Sequence, residues 1–160
     1  MVQSDIRPLL AKNGAAGIMA ESASTRGTAV CPRLRILLAD DNPHLLRELE
    51  RLLGREFQIV SAVTDGGALV EEYERLRPEV VITDISMPAM DGFEAVARLR
   101  RSGVARVIFL TVHEEQAFVE EARMLGAMGY VLKRSRPSVL LEAIRSAAEG
   151  RFYLCPELRG

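Results

Sequence analysis

Residues 80–92 read VVITDISMPAMDG, and the fold class turns on how that run divides. Val80, Val81 and Ile82 are apolar and β-branched, and Thr83 closes the run just before Asp84. That is the composition of a short strand buried on both faces. From Ile85 to Asp91 the chain carries Pro88 and reads as a loop, after which Gly92 to Arg101 is amphipathic at helical spacing. The run is therefore one strand-loop-helix unit.

Working outward, the same unit recurs. Apolar runs at Leu34 to Ala39, Gln58 to Val63, Arg106 to Leu110 and Gly129 to Leu132 predict further strands. Helices are predicted near Pro43 to Leu53, Gly66 to Arg75, Gly92 to Arg101, Glu114 to Leu125 and Pro137 to Glu149. In the last of these Val139, Leu140, Ala143, Ile144 and Ala147 share one face, and Gly150 stops the helix. The pattern predicts an α/β fold, a doubly wound five-stranded parallel sheet with five helices, over residues 34–150. Residues 1–33, rich in Gly, Ala, Ser and Thr without a sustained period, read as a flexible N-terminal extension, and residues 151–160 as a C-terminal tail or linker stub.

Composition narrows the function. The chain has 160 residues, 48% of them hydrophobic, which suits one packed core. Lys and Arg number 21 against 22 Asp and Glu, so no basic excess points to nucleic acid or anionic lipid. Cys31 and Cys155 lie near opposite ends with no CxxC, as free thiols of a reducing compartment do. His44 and His113 stand alone and read as ordinary surface or loop residues. No apolar stretch approaches the roughly 20 residues of a membrane span, and Lys12, Asn13, Gly14 and Gly17 interrupt any secretory signal core. A cytoplasmic protein without a membrane partner is expected.

Open parallel sheets bind ligands beyond the carboxyl ends of their strands. Strand one ends in Asp40-Asp41, strand three in Asp84, strand four in Thr111 and strand five in Lys133. Three carboxylates at two strand ends repel one another unless a cation lies between them, and a hard divalent ion, Mg²⁺, suits oxygen ligands. A carboxylate beside that ion can serve as nucleophile and become an aspartyl phosphate. Lys133 offers a point charge for phosphoryl oxygens and Thr111 a hydroxyl donor. Blander readings stand beside these. Asn42-Pro43 is a good helix start, so one of the two Asp residues can equally be capping. Asp91 with Glu94 resembles a capping box, Lys133 alone can be a solvated charge, and Thr111 a helix cap.

Taken together, Leu37 to Asp41, Thr83 to Gly92, Leu110-Thr111 and Gly129 to Lys133 resemble the response regulator receiver domains of two-component systems, over about residues 34–150. The resemblance implies a flavodoxin-like fold with strand order 2-1-3-4-5. It implies a signalling module that takes a phosphoryl group from a sensor histidine kinase or phosphotransfer protein onto Asp84 with Mg²⁺. The protein would be no enzyme beyond its own phosphorylation and dephosphorylation. By the same resemblance Asp40 and Asp41 are the acidic metal pair, Asp84 is phosphoacceptor and ligand, and the main-chain carbonyl of Ser86 completes the protein ligands. Lys133 binds phosphate, and Thr111 is the hydroxyl switch. Ser86 and His113 would flank the path of attacking water and tune dephosphorylation.

Tyr130 stands where the resemblance puts a switch aromatic that turns inward on phosphorylation; a partly buried packing ring is the other reading. Residues 126–130 and 149–154 are similar to the nitrate-regulator and LuxR-type subgroup, whose members normally continue into a helix-turn-helix domain. The chain stops before one, which implies a protein-binding output, including a homodimer on phosphorylation, and no direct nucleic acid contact by this chain. The alternative is the receiver portion of a DNA-binding LuxR-type regulator. An aspartate-dependent phosphatase of similar topology would carry its paired Asp residues two apart at the end of strand one, whereas Asp40 and Asp41 are adjacent.

Overall fold

The computed structural model describes residues 31–103 and 106–160. The reading of residues 1–33 as an extension falls, except for its last three positions, outside the described residues. Strands β1 (Arg35–Ala39), β2 (Gln58–Val63), β3 (Val80–Thr83), β4 (Arg106–Thr111) and β5 (Gly129–Leu132) alternate with helices α1 (Pro43–Leu53), α2 (Gly66–Leu76), α3 (Gly92–Ser102), α4 (Gln116–Met124) and α5 (Pro137–Ala148). A two-residue strand β6 (Tyr153–Leu154) and a 3₁₀ turn (Pro156–Leu158) follow. The sheet is parallel with order β2-β1-β3-β4-β5-β6. The doubly wound fold and the predicted order stand, with one strand added.

Local chemistry explains the boundaries. Asn42 caps α1, its side-chain oxygen accepting from His44 N at 3.0 Å and Leu45 N at 3.3 Å, and Pro43 fills the first turn. Capping therefore falls to Asn42 and leaves the Asp41 carboxylate free. Asp65 caps α2 through Ala68 N. Asp91 caps α3 through Glu94 N at 2.8 Å, but the box is half made, because the Glu94 carboxylate turns to Arg98 four residues on instead of back to the cap. Helix α4 starts at Gln116, two residues later than its periodicity predicts, and its cap residue Glu115 makes no side-chain cap bond.

Burial follows strand position. Ile36, Leu37, Leu38, Val80, Val81, Ile108 and Phe109 are fully enclosed between the two helical layers. The run Gln58–Val63 reads from sequence as buried on both faces, but β2 is an edge strand and its residues after Gln58 are only half-buried. Residues 151–160 are also more than a tail. Gly150, at φ 77, takes the left-handed conformation that turns the chain back after α5, and β6 then pairs with β5 through Tyr153 with Gly129 and Leu154 with Tyr130. Cys155 is left with no exposed surface, so the compact unit runs Arg33–Gly160. Two residues are too few to show a strand period in sequence.

Candidate functional site

Parallel register levels the strand ends. Ala39 pairs with Thr83 across β1 and β3, so Asp40 and Asp84 emerge side by side, where the order of the strands reverses. Main-chain bonds fix both: Asp84 N donates to Ala39 O at 2.9 Å and Asp40 N to Val63 O at 3.0 Å. Two places along the sheet, Thr111 pairs with Leu132, and Lys133 N donates to Thr111 O at 2.8 Å. The strand ends thus bring together all of Asp40, Asp84, Thr111 and Lys133.

Asp40 and Asp84 are buried, whereas Asp41 is exposed. Oxygens of Asp40, Asp41 and Asp84 lie within 4.8 Å of one another. Lys133 Nζ lies 2.7 Å from Asp40 Oδ2 and 2.8 Å from Asp84 Oδ2. The other oxygens are used locally: Asp40 Oδ1 accepts from Asn42 N, and Asp84 Oδ1 from Ile85 N at 2.7 Å. Asp40 Oδ2 is buried with no well-directed hydrogen bond, since the ammonium is near it but poorly aligned. Burial pushes the Asp40 carboxyl above its ordinary range, and the partial compensation from Lys133 does not reverse this. Burial alone would lower the Lys133 ammonium, but the nearby negative charges of Asp40 and Asp84, with the hydrogen bond to Asp84, win and hold it above its usual value. An orphaned buried oxygen beside two further carboxylates is a donor set that a hard divalent cation fits.

The loop after β3 is shaped by close approach. A Cβ at Gly92 would stand 2.0 Å from Asp84 O, so only glycine lets α3 begin against the acidic strand end, where Gly92 N donates to Ile85 O. Ala89, at φ 66, holds a left-handed conformation between Pro88 and Met90. Met87 packs into the core.

Thr111 is wholly buried and its Oγ1 accepts from His113 N at 3.2 Å. Its hydroxyl thus organises the β4–α4 loop. Tyr130 is turned inward in this structure and is buried more deeply than the reading as a partly buried packing ring supposes. The ring is fully enclosed beside Phe109, and its hydroxyl donates to His113 O at 2.9 Å. Burial, with the Glu115 charge adding, raises the phenol well above its ordinary range. His113 is not isolated either: its Nε2 lies 2.8 Å from Ser86 Oγ, and its ring stacks on Phe118 at 4.3 Å. The Ser86–His113 bond bridges the two loops that frame the acidic pocket. Phe118, on the apolar face of α4, gave no sequence sign of this role beyond ordinary packing.

These features define a doubly wound α/β domain with an acidic pocket, lysine and buried hydroxyl at the carboxyl ends of its strands. The response regulator receiver domain model matches residues 36–145, and the chain belongs to that family. It is 37% identical over 119 residues to the nitrate/nitrite response regulator protein NarP of Escherichia coli (strain K12), covering 72% of this chain and 55% of NarP. A LuxR-family two-component response regulator from Aurantimonas superposes with TM-score 0.76 at 33% identity, covering 80% of this chain and 93% of that one. The signal receiver domain of the putative response regulator NarL from Mycobacterium tuberculosis superposes at 0.72 with 31% identity, covering 76% of this chain and all of that one. The chain spans a little over half the length of NarP and of the DegU protein of Brevibacillus brevis. Among the described residues no helix is long and apolar enough to cross a membrane.

Proposed function

We propose that this receiver domain accepts a phosphoryl group on Asp84 from a histidine kinase or phosphotransfer protein and passes the modification on as a change of protein-binding surface. The observation that carries the reading is the meeting of Lys133 Nζ with Asp84 Oδ2 at 2.8 Å inside the acidic pocket. Lys133 compensates the charge of the nucleophile and stays placed to receive phosphoryl oxygens. Asp40, Asp41 and Asp84, with the Ser86 carbonyl, would hold Mg²⁺. Bound there, Mg²⁺ supplies charge neutralisation for a transfer to a carboxylate. Thr111 would donate its hydroxyl proton to the new oxygens while still accepting from His113 N, and so draw the β4–α4 loop with it. The Ser86–His113 bridge would limit the access of water and so lengthen the life of the acyl phosphate.

In this reading the chain turns over nothing but its own phosphoryl group and works in the cytoplasm. The likeness to LuxR-family regulators, one of them a DNA-binding response regulator from Staphylococcus aureus, supports a second reading for the output, as the receiver portion of a DNA-binding regulator; a phosphorylation-dependent dimer would be its first step. Intact mass after incubation with acetyl phosphate, with and without Mg²⁺, tests the core of the proposal. Gain of one phosphoryl group, dependent on Mg²⁺ and lost in Asp84→Asn, is the expected result; a gain that survives the substitution would place the acceptor elsewhere.

A further inference from the structure

We infer that residues 151–160 form a latch that reports the state of the Asp84 pocket at the sheet edge, docking more firmly when a phosphoryl group is present. The inference rests on the receiver reading and goes beyond it. A line of hydrogen bonds joins the two places. His113 N donates to Thr111 Oγ1 at 3.2 Å, Tyr130 OH donates to His113 O at 2.9 Å, and Cys155 N donates to Tyr130 O at 3.0 Å. Tyr130 is therefore held at both ends, its hydroxyl by the loop beside the pocket and its carbonyl by the strand β6.

The latch is built to dock and to release. On the docked side, Tyr153 OH donates to Glu142 Oε2 on α5 at 2.8 Å, Arg123 of α4 lies over the Phe152 ring at 4.1 Å, and Cys155 is fully covered. Against this, β6 pairs over only two residues and Phe152 and Leu154 stay half-buried, so the segment belongs with the elements that open locally before the core does. A phosphoryl group that pulls the Thr111 hydroxyl toward Asp84 leaves the enclosed Tyr130 ring as the filler of the vacated space. That strengthens the inward ring and, through its carbonyl, the latch. Coupling of binding is reciprocal, so the factor by which the mimic favours the docked latch is also the most that opening the latch can take from the pocket's affinity for the mimic.

Cys155 makes the latch measurable. In the full chain carrying Cys31→Ser, the rate of Cys155 labelling by a soluble maleimide reads latch opening, with beryllofluoride and Mg²⁺ as the phosphoryl mimic. Binding of the mimic itself is followed by fluorine NMR. The expected result is slower labelling on mimic binding, by about fivefold or more. Tyr153→Phe and the milder Glu142→Gln, both outside the pocket, should speed labelling, and should weaken mimic binding by at most the factor by which the mimic slows wild-type labelling. Mimic binding with unchanged or faster labelling would overturn the latch and leave the receiver reading intact. No mimic binding at all would overturn both.

Discussion

Lys133 Nζ sits 2.8 Å from Asp84 Oδ2, so the proposed nucleophile and the cation proposed to receive phosphoryl oxygens already form one pair. The same ammonium lies 2.7 Å from Asp40 Oδ2, and it is the cation that offsets two buried carboxylates. Lys133→Ala leaves both uncompensated. Breaking a buried pair costs about 3–5 kcal/mol, and the one-fifth exposure of the Lys133 side chain reduces this to roughly 1–3 kcal/mol. Urea unfolding measures the loss. Because a divalent ion replaces the missing charge, added Mg²⁺ should restore more stability to the variant than it adds to the wild type; equal gains would show that the pocket does not need that charge.

Asp40→Asn separates folding from metal binding. Burial raises the Asp40 carboxyl, so its charged form is less at home in the folded protein than in the unfolded chain. This contribution makes stability fall as pH rises from the ordinary carboxylate value through the raised folded value. At neutral pH and in EDTA the amide should thus cost no stability, while calorimetry finds Mg²⁺ affinity down roughly tenfold or more. Asp41→Asn, at an exposed position, should show the same loss of affinity with unchanged stability.

Gly92→Ala pits two effects against each other. Alanine gains about 1 kcal/mol over glycine in a helix interior, and less at the first helical position. Its methyl group, however, would stand 2.0 Å from Asp84 O and 3.0 Å from Ile85 Cα, and Gly92 N–H is already bonded to Ile85 O at 2.7 Å. The clash wins, at about 3 kcal/mol or more. Thermal unfolding checks the sign, and a variant as stable as wild type would show that α3 can move off the acidic strand end.

The strands and their chemistry were legible because a parallel sheet buried on both faces needs continuous apolar runs, and those runs stop at Asp40, Asp84, Thr111 and Lys133. Partners across the molecule were not. Ser86 and His113 are 27 positions apart and carry no shared period, so their bond follows from how two loops fold over the pocket. The inward ring of Tyr130 is set by the carbonyl of His113, which no side-chain pattern encodes. Strand β6 escaped because its two residues depend on the left-handed turn at Gly150 and on the free edge of β5.

Ser86→Ala tests the bridge across the pocket mouth. It removes the partner of His113 Nε2 while the ring stays stacked on Phe118. Water then reaches the phosphoryl group more readily, so the acyl phosphate should decay faster, with its rate of formation unchanged. Phosphoprotein lifetime, followed by intact mass after removal of the phosphodonor, decides the matter. A lifetime equal to that of the wild type would reduce the bridge to loop packing.

Thr111→Ala separates taking up the phosphoryl group from reporting it. The proposed nucleophile, its lysine and the acidic pair lie on other residues, so the acceptance proposed for Asp84 should persist. Loss of the hydroxyl removes the acceptor of His113 N–H, and with it the link between the pocket and the carbonyl that holds Tyr130. The loop before α4 should loosen even without phosphoryl donor, seen as faster amide exchange at His113. Beryllofluoride should then leave the amides of Tyr130 and Cys155 nearly unshifted in NMR spectra, although it still binds. If the shifts in β5 and β6 match the wild type in size and pattern, the coupling does not pass through Thr111.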